Sequence, residues 1–392
     1  MGERQVYLDI QIADQKIGRI VIELFDERAP KTTENFYRLC VGDIKDAIGA
    51  PLTYRNNFFH RVIKNFMVQA GDITHGSVDG EKSDEIGLGG HSIYFDKKSG
   101  KYMNTNFKDN TTFFEDENLG DFDKPFLVGM ANLGQSNTNS SQFFITTCIS
   151  PHLNNNHSIL GRVLYGKSVV RTIELTEVDA DGFPLHPIKI ENCGAWKPVL
   201  GLPVYNTSNA TIGGDIYEEY PDDDENFDKD VSKDSFAAAE TIKGSGTALL
   251  KQGDFQNALF KYKKALRYVN ELVPDIDSDA KSYADFMQLK AKLYLNLSLT
   301  FLKLKNYEDS ITYAGFLLDM NKAEEQDKAK AFYRRGVCHK LKGRNELALS
   351  DFKNCHSLNP NDNVVVERIK EIETKIEEEK ERTRKNLAKF FM

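Results

Sequence analysis

Arg61 lies in the run Phe59-His60-Arg61-Val62-Ile63-Lys64-Asn65-Phe66-Met67-Val68-Gln69-Ala70-Gly71-Asp72, where one guanidinium is set among large apolar side chains and a single amide. The run reads as an extended strand over Val62 to Gln69, whose alternation puts Arg61, Phe66 and Gln69 close to one pocket wall. A second run, Met130-Ala131-Asn132-Leu133-Gly134 followed by Ser141-Gln142-Phe143-Phe144-Ile145-Thr146, adds amides and aromatics. A guanidinium in such company can donate to a carbonyl oxygen or to a nitrogen lone pair. No paired carboxylates, Ser–His–Asp set or phosphate-binding glycine loop stands out, and Gly87-Leu88-Gly89-Gly90 reads as a turn. His75, His91 and His186 have no ligand-like spacing, so no metal site is expected.

The scaffold for these residues must be larger than one core, because 392 residues exceed an ordinary domain. No apolar run approaches the length needed to span a bilayer, so no membrane partner is expected. A formal charge of −8 argues against nucleic acid as the main partner. Cys40, Cys148, Cys193, Cys338 and Cys355 are odd in number and widely spaced. A disulfide framework or zinc site is not expected from them, and a reducing compartment, the cytoplasm, fits.

Three segments differ in period. Residues 1–198 alternate as strands at Val6–Ile12 and Gly18–Leu24, with a helix opening at Ala29 and later strands at Phe126–Asn132, Gln142–Thr147, Ile159–Val163 and Ile188–Cys193. Many short strands, few helices and Gly/Asn-rich turns suggest a closed β-barrel. Residues 199–233 carry nine acids against one base between Asp215 and Asp230. The expectation is a solvated, self-repelling connector, the alternative a segment docked on a basic face. Residues 234–360 turn helical. Lys251-Gln252-Gly253-Asp254-Phe255, Lys303-Leu304-Lys305-Asn306-Tyr307 and Lys342-Gly343-Arg344-Asn345 open similar units, each with small and large residues at fixed offsets. These units look like three tetratricopeptide (TPR) repeats, each a helix–turn–helix pair. Residues 361–392 carry Val366, Ile369, Ile372 and Ile376 on one stripe and end in a basic tail, which suits a capping helix with a solvated end. A calmodulin target is the alternative for the tail.

The two runs resemble the cyclophilin family of peptidyl-prolyl isomerases. An X–Pro amide rotates over a barrier of about 18–20 kcal/mol because resonance stiffens its C–N bond. Lowering that barrier needs no cofactor, acid or metal. The resemblance implies that Arg61 donates as conjugation breaks, and that Phe66, Met67, Phe144 and Leu153 form the proline cup. It implies that Gln69 orients Arg61, that Ala131 and Asn132 grip the peptide backbone, and that Gln142 lines the groove. His157 matches the pocket histidine and His60 the residue preceding the arginine. His152 stands where most cyclophilins have Trp, so weakened cyclosporin binding is implied. Asp96 to Thr112 is an insertion, and Leu133 is bulkier than the usual Ala; both bear on substrate range and turnover.

The repeats resemble the class that holds a peptide's terminal carboxylate. The positions implied are Lys243, Asn296, Lys330 and Arg334, with Thr247 where Asn is usual. The corresponding partner is the Glu-Glu-Val-Asp terminus of heat shock protein 90, or of the seventy-kilodalton chaperone. Barrel, acidic segment and repeats together resemble the forty-kilodalton cyclophilin class, in a fungal form. This implies an isomerase that serves as a co-chaperone and acts on proline-containing client proteins. The alternative is a weakly catalytic or non-catalytic client-binding adaptor.

Overall fold

The computed structural model describes residues 3–45, 49–76, 80–94, 113–202 and 211–390. The insertion Asp96 to Thr112 lies outside them. The chain divides into two compact units, Met1–Asn206 and Thr207–Met392.

In the first unit, β1 (Gln5–Ile12), β2 (Gln15–Leu24), β3 (Phe58–Phe59), β4 (Arg61–Ile63), β5 (Met67–Ala70), β6 (Leu127–Met130), β7 (Phe143–Thr146), β8 (Ile159–Tyr165) and β9 (Ile188–Ala195) form one antiparallel sheet. Its order is β3-β9-β1-β2-β8-β6-β7-β5-β4. The two edge strands, β3 and β4, are joined in the chain by His60 alone, so the sheet curls into a nearly closed barrel. Alternate residues such as Val6, Leu8 and Ile10 point inward and are buried, as period-two patterning requires. Helix α1 (Pro30–Val41) buries Phe36, Leu39 and Cys40 against that interior. Its own N-cap makes no side-chain bond; instead the Glu117 carboxylate accepts the Lys31 and Thr32 amides, at 3.2 and 2.8 Å. Helix α2 (Lys167–Glu174), which the strand-rich pattern did not announce, buries Val169, Val170 and Ile173.

The structure corrects the reading of Val62 to Gln69 as one strand. The chain reverses at Lys64-Asn65-Phe66, with Asn65 at φ 56°, so β4 and β5 form a hairpin. Asn tolerates that left-handed conformation better than most residues. Arg61 and Gln69 are therefore cross-strand partners, and Phe66 projects from the turn.

In the second unit, α3 (Ser232–Lys251), α4 (Phe255–Leu272), α5 (Ala280–Lys303), α6 (Tyr307–Leu318), α7 (Glu325–Leu341) and α8 (Asn345–Leu358) pack as three antiparallel pairs, and α9 (Asn363–Phe390) follows against α8. Each pair turns through one left-handed residue: Gly253, Lys305 and Gly343. Small residues let the pairs close. A Cβ on Gly246 would lie 2.9 Å from the Tyr262 ring, and one on Gly336 3.1 Å from Phe352. The long spacing between the first two turns is absorbed largely by α5, which runs for 24 residues.

Residues 211–231 are docked on the first helical pair, so the alternative reading of the acidic segment holds for them and the solvated one is corrected. Asp215 accepts from Lys261 at 2.5 Å and from Lys264 at 2.8 Å, with all three side chains fully buried. Arg267 donates to the Glu219 carboxylate at 2.7 Å, and Tyr268 to that of Asp224 at 2.9 Å. Ile212, Tyr217 and Phe227 supply the apolar contact. The physical reason is one face of α4: Lys261, Lys264, Arg267 and Tyr268 recur at helical spacing and neutralise acids that would repel one another in water.

Candidate active site and helical groove

A pocket of about 320 Å³ opens on the barrel wall. Its lining includes Arg61, Phe66, Met67, Gln69, Ala131, Asn132, Gln142, Phe144, Leu153 and His157, each of them anticipated from the sequence. The hairpin supplies Arg61 and Gln69. Strand β7 pairs Phe144 with Gln69 across the ladder and presents its ring to the pocket. The apolar floor continues into a small cluster of its own, Phe25, Met67, Phe122, Leu127, Phe144, Leu153 and Ile159, so the cup is rigidly backed.

The polar groups are held in fixed directions. Gln142 Nε2 donates to the carbonyls of Gly87 and Gly89, at 2.8 and 2.6 Å. Its oxygen accepts from Gln69 Nε2 at 2.8 Å. Asn132 donates to the Asn156 carbonyl at 2.8 Å. His157 Nδ1 lies 3.0 Å from the Met130 carbonyl, which can only accept, so the proton sits on Nδ1. The ring meets Phe144 edge-on, and burial holds its pKa below the ordinary histidine value, so it is neutral at pH 7. Among the described residues the Arg61 guanidinium has no hydrogen-bond or ion-pair partner, and the side chain is exposed on the pocket wall.

Two expected site residues are placed elsewhere. His60, the hinge between β3 and β4, is buried at the barrel seam, where burial lowers its pKa, and it does not line the pocket. His152 is exposed outside the lining, its ring 4.7 Å from Phe66. Gly87, Gly89, Leu133, Thr138 and Ser140 complete the wall. Of these, the glycines and Leu133 drew notice in the sequence, but nothing local to Thr138 or Ser140 marks them as wall residues.

In the second unit a cavity of about 730 Å³ is lined by Lys330 and Arg334, one turn apart on α7, and by Leu299, Tyr333 and Leu358 among others. Lys330 pairs with Asp327 at 3.0 Å. Arg334 donates to the Leu295 carbonyl, and burial pushes its pKa down to about 10. Lys243, Thr247 and Asn296 are not on this lining. Lys243 is 3.5 Å from Glu240. The Thr247 hydroxyl donates to the Lys243 carbonyl at 3.0 Å and accepts from Tyr262 at 3.2 Å, so its one hydrogen is already committed.

Residues 7–195, the span of the barrel, match the family described as cyclophilin type peptidyl-prolyl cis-trans isomerase/CLD. Residues 329–362, which span α8 and most of α7, match the tetratricopeptide repeat. The chain belongs to the cyclophilin-type peptidyl-prolyl cis-trans isomerases and carries a TPR domain. It is similar to peptidyl-prolyl cis-trans isomerase CYP7 of Saccharomyces cerevisiae, with 52% identity over 388 residues, 98% of each chain. Peptidyl-prolyl cis-trans isomerase D of Eremothecium gossypii is 38% identical over the whole of both chains. The protein of the same name from Kluyveromyces lactis is 35% identical over 99% of this chain and 98% of its own.

Proposed function

We propose that the Arg61 pocket is where the X–Pro amide is twisted, and that the helical unit holds the acidic C-terminus of heat shock protein 90. The observation that carries the first half is a guanidinium with no partner among the described residues, facing an apolar cup. A proline ring seated on Phe66, Met67, Phe144 and Leu153 leaves its amide beside Arg61. As the C–N bond turns, conjugation is lost and the prolyl nitrogen regains a lone pair that Arg61 can meet with a hydrogen. Asn132 and Ala131 hold the backbone, Gln69 steadies the guanidinium, and neutral His157 closes the far wall without adding charge. Proline-containing client proteins are the substrates.

The second half is supported by Arg334, a half-buried cation with no ion-pair partner among the described residues, next to Lys330 on one helix face. The terminal carboxylates of Glu-Glu-Val-Asp would supply what Arg334 lacks, from heat shock protein 90 or from the seventy-kilodalton chaperone. A cytoplasmic location follows from that partner. Cyclosporin would bind in the barrel pocket with reduced affinity, because His152 offers less apolar area than an indole.

One observation favours a second reading, a client-binding adaptor with little turnover: the bulky Leu133 lines the pocket next to Asn132. Kinetics on a proline-containing peptide separate the two. Acceleration by the wild type and its loss in Arg61→Ala support the isomerase site. Equal rates for the two overturn the role of Arg61, and no acceleration by either supports the adaptor.

A further inference from the structure

Asp72 closes the first sequence run, yet it is not among the residues that line the pocket. Its carboxylate is fully buried. Oδ1 accepts the amides of Thr74 and His75, at 3.0 and 2.9 Å. Oδ2 accepts the amides of Gly87 and Gly89, at 2.8 and 3.0 Å. His75 Nδ1 lies 3.7 Å from Oδ2. The two glycines tied down by Oδ2 are the same two whose carbonyls take the Gln142 amide hydrogens.

We propose that Asp72 is a positioning residue for the isomerase reaction, setting the direction of the Gln142 and Gln69 amides and so the surroundings of Arg61. Two carbonyl oxygens accept from Gln142, so its nitrogen must face the glycines and its oxygen must face Gln69. That oxygen in turn takes a Gln69 hydrogen. The Gln69 oxygen, with no donor among the described residues, is thereby left as an acceptor at the strand position paired with Arg61. The chain of bonds runs one way, from a carboxylate that can only accept to an acceptor beside the guanidinium, and each bond fixes the polarity of the next. A Cβ on Gly89 would lie 2.5 Å from Asp72 Oδ1 and 2.6 Å from His75 Nδ1, so the wall can reach the carboxylate only with glycine there.

The inference rests on the reading of Arg61 as the reacting contact, and the test separates the two. The full chain is assayed for peptide isomerisation as wild type, Asp72→Asn, Gly89→Ala, Gln142→Ala, Arg61→Ala and the two double variants on Gln142→Ala, with concentrations corrected for folded fraction. Asp72→Asn replaces one acceptor oxygen by a donor that must face two N–H groups. The expected result is a tenfold or larger fall in kcat with KM changed less than threefold. In the Gln142→Ala background, where the relay is already cut, the same substitution should change kcat less than twofold. Gly89→Ala should behave likewise and serves if Asp72→Asn does not fold. Losses that simply multiply in the double variants mean a purely structural role and overturn the relay. Full activity of Asp72→Asn beside an inactive Arg61→Ala overturns the relay alone; an active Arg61→Ala overturns the site reading and the relay with it.

Discussion

Arg61 is exposed at the edge of an apolar cup, so holding it there costs the barrel little, and its hydrogen bonds remain available for the substrate. Arg61→Ala should lower kcat/KM by about 100-fold or more, equivalent to about 2.7 kcal/mol of transition-state stabilisation, with the fold intact by circular dichroism. A loss under threefold would assign the rate enhancement to the cup. His152 is a rim residue leaning on Phe66. His152→Trp adds aromatic area and an N–H donor there, and cyclosporin titrated by calorimetry should bind the variant more tightly. An unchanged affinity would move the cause elsewhere on the rim.

Elements hold these residues through contacts remote in sequence. Glu174, at the end of α2, accepts the Asn65 amide at 2.8 Å and the Thr147 hydroxyl at 2.7 Å, which pins the hairpin turn carrying Phe66. Glu174→Ala would leave the buried Thr147 hydroxyl without that acceptor, a loss of about 1–3 kcal/mol, and would release the Asn65 amide at the exposed turn. Urea unfolding of the barrel should show a lower midpoint and an unchanged slope. On α4, Asp215→Ala would leave Lys261 and Lys264 buried without their carboxylate, and breaking such a set costs about 3–5 kcal/mol. A thermal midpoint for the helical unit within a degree of wild type would mean that water reaches the lysines. On α7, Lys330→Ala and Arg334→Ala should each weaken a Glu-Glu-Val-Asp peptide at least tenfold by calorimetry, as should amidation of its terminus, while Lys380→Ala should not. Equal binding of the amidated and free-acid peptides would exclude a carboxylate clamp.

At the scale of the molecule, pH acts on several sites at once. In the first unit His60 and His157 are held below the ordinary histidine value by burial. Above about pH 7 they are neutral, folded or unfolded. As pH falls through about 6.5 the unfolded chain takes up protons that the folded chain resists, so stability declines with falling pH in this window. His339 acts in the same sense in the second unit. Asp26 and Glu34, paired with Arg4, are held below the ordinary carboxylate value, so their contribution persists until stronger acid. The thermal midpoint should therefore drop between pH 7.5 and pH 5.5; a flat midpoint would mean that the histidines are solvated. Isomerisation should stay level from pH 7 to pH 9, since the pocket histidine, His157, is already neutral at the lower end of that range.

The pocket list was legible in the sequence because Arg61, Phe66, Gln69, Asn132 and Phe144 come from two short runs, and aromatics and amides so arranged have few other uses. The helical unit was legible through its recurring small and large residues, which can interlock only as helix pairs. Tertiary structure alone decided matters that depend on contacts between distant segments. The reversal at Asn65 turns a supposed strand into a hairpin and makes Arg61 and Gln69 neighbours across a ladder. His60 is withdrawn from the site because the barrel closes at that residue, which no local pattern encodes. The acids after residue 214 look solvated in sequence, since their counter-charges, Lys261, Lys264 and Arg267, lie some fifty positions later. Asp72 is only the last residue of a run until the fold brings the amides of Gly87 and Gly89 to its carboxylate. Patterning reports which face of an element is buried; which charges and amides meet there is set by how the chain returns on itself.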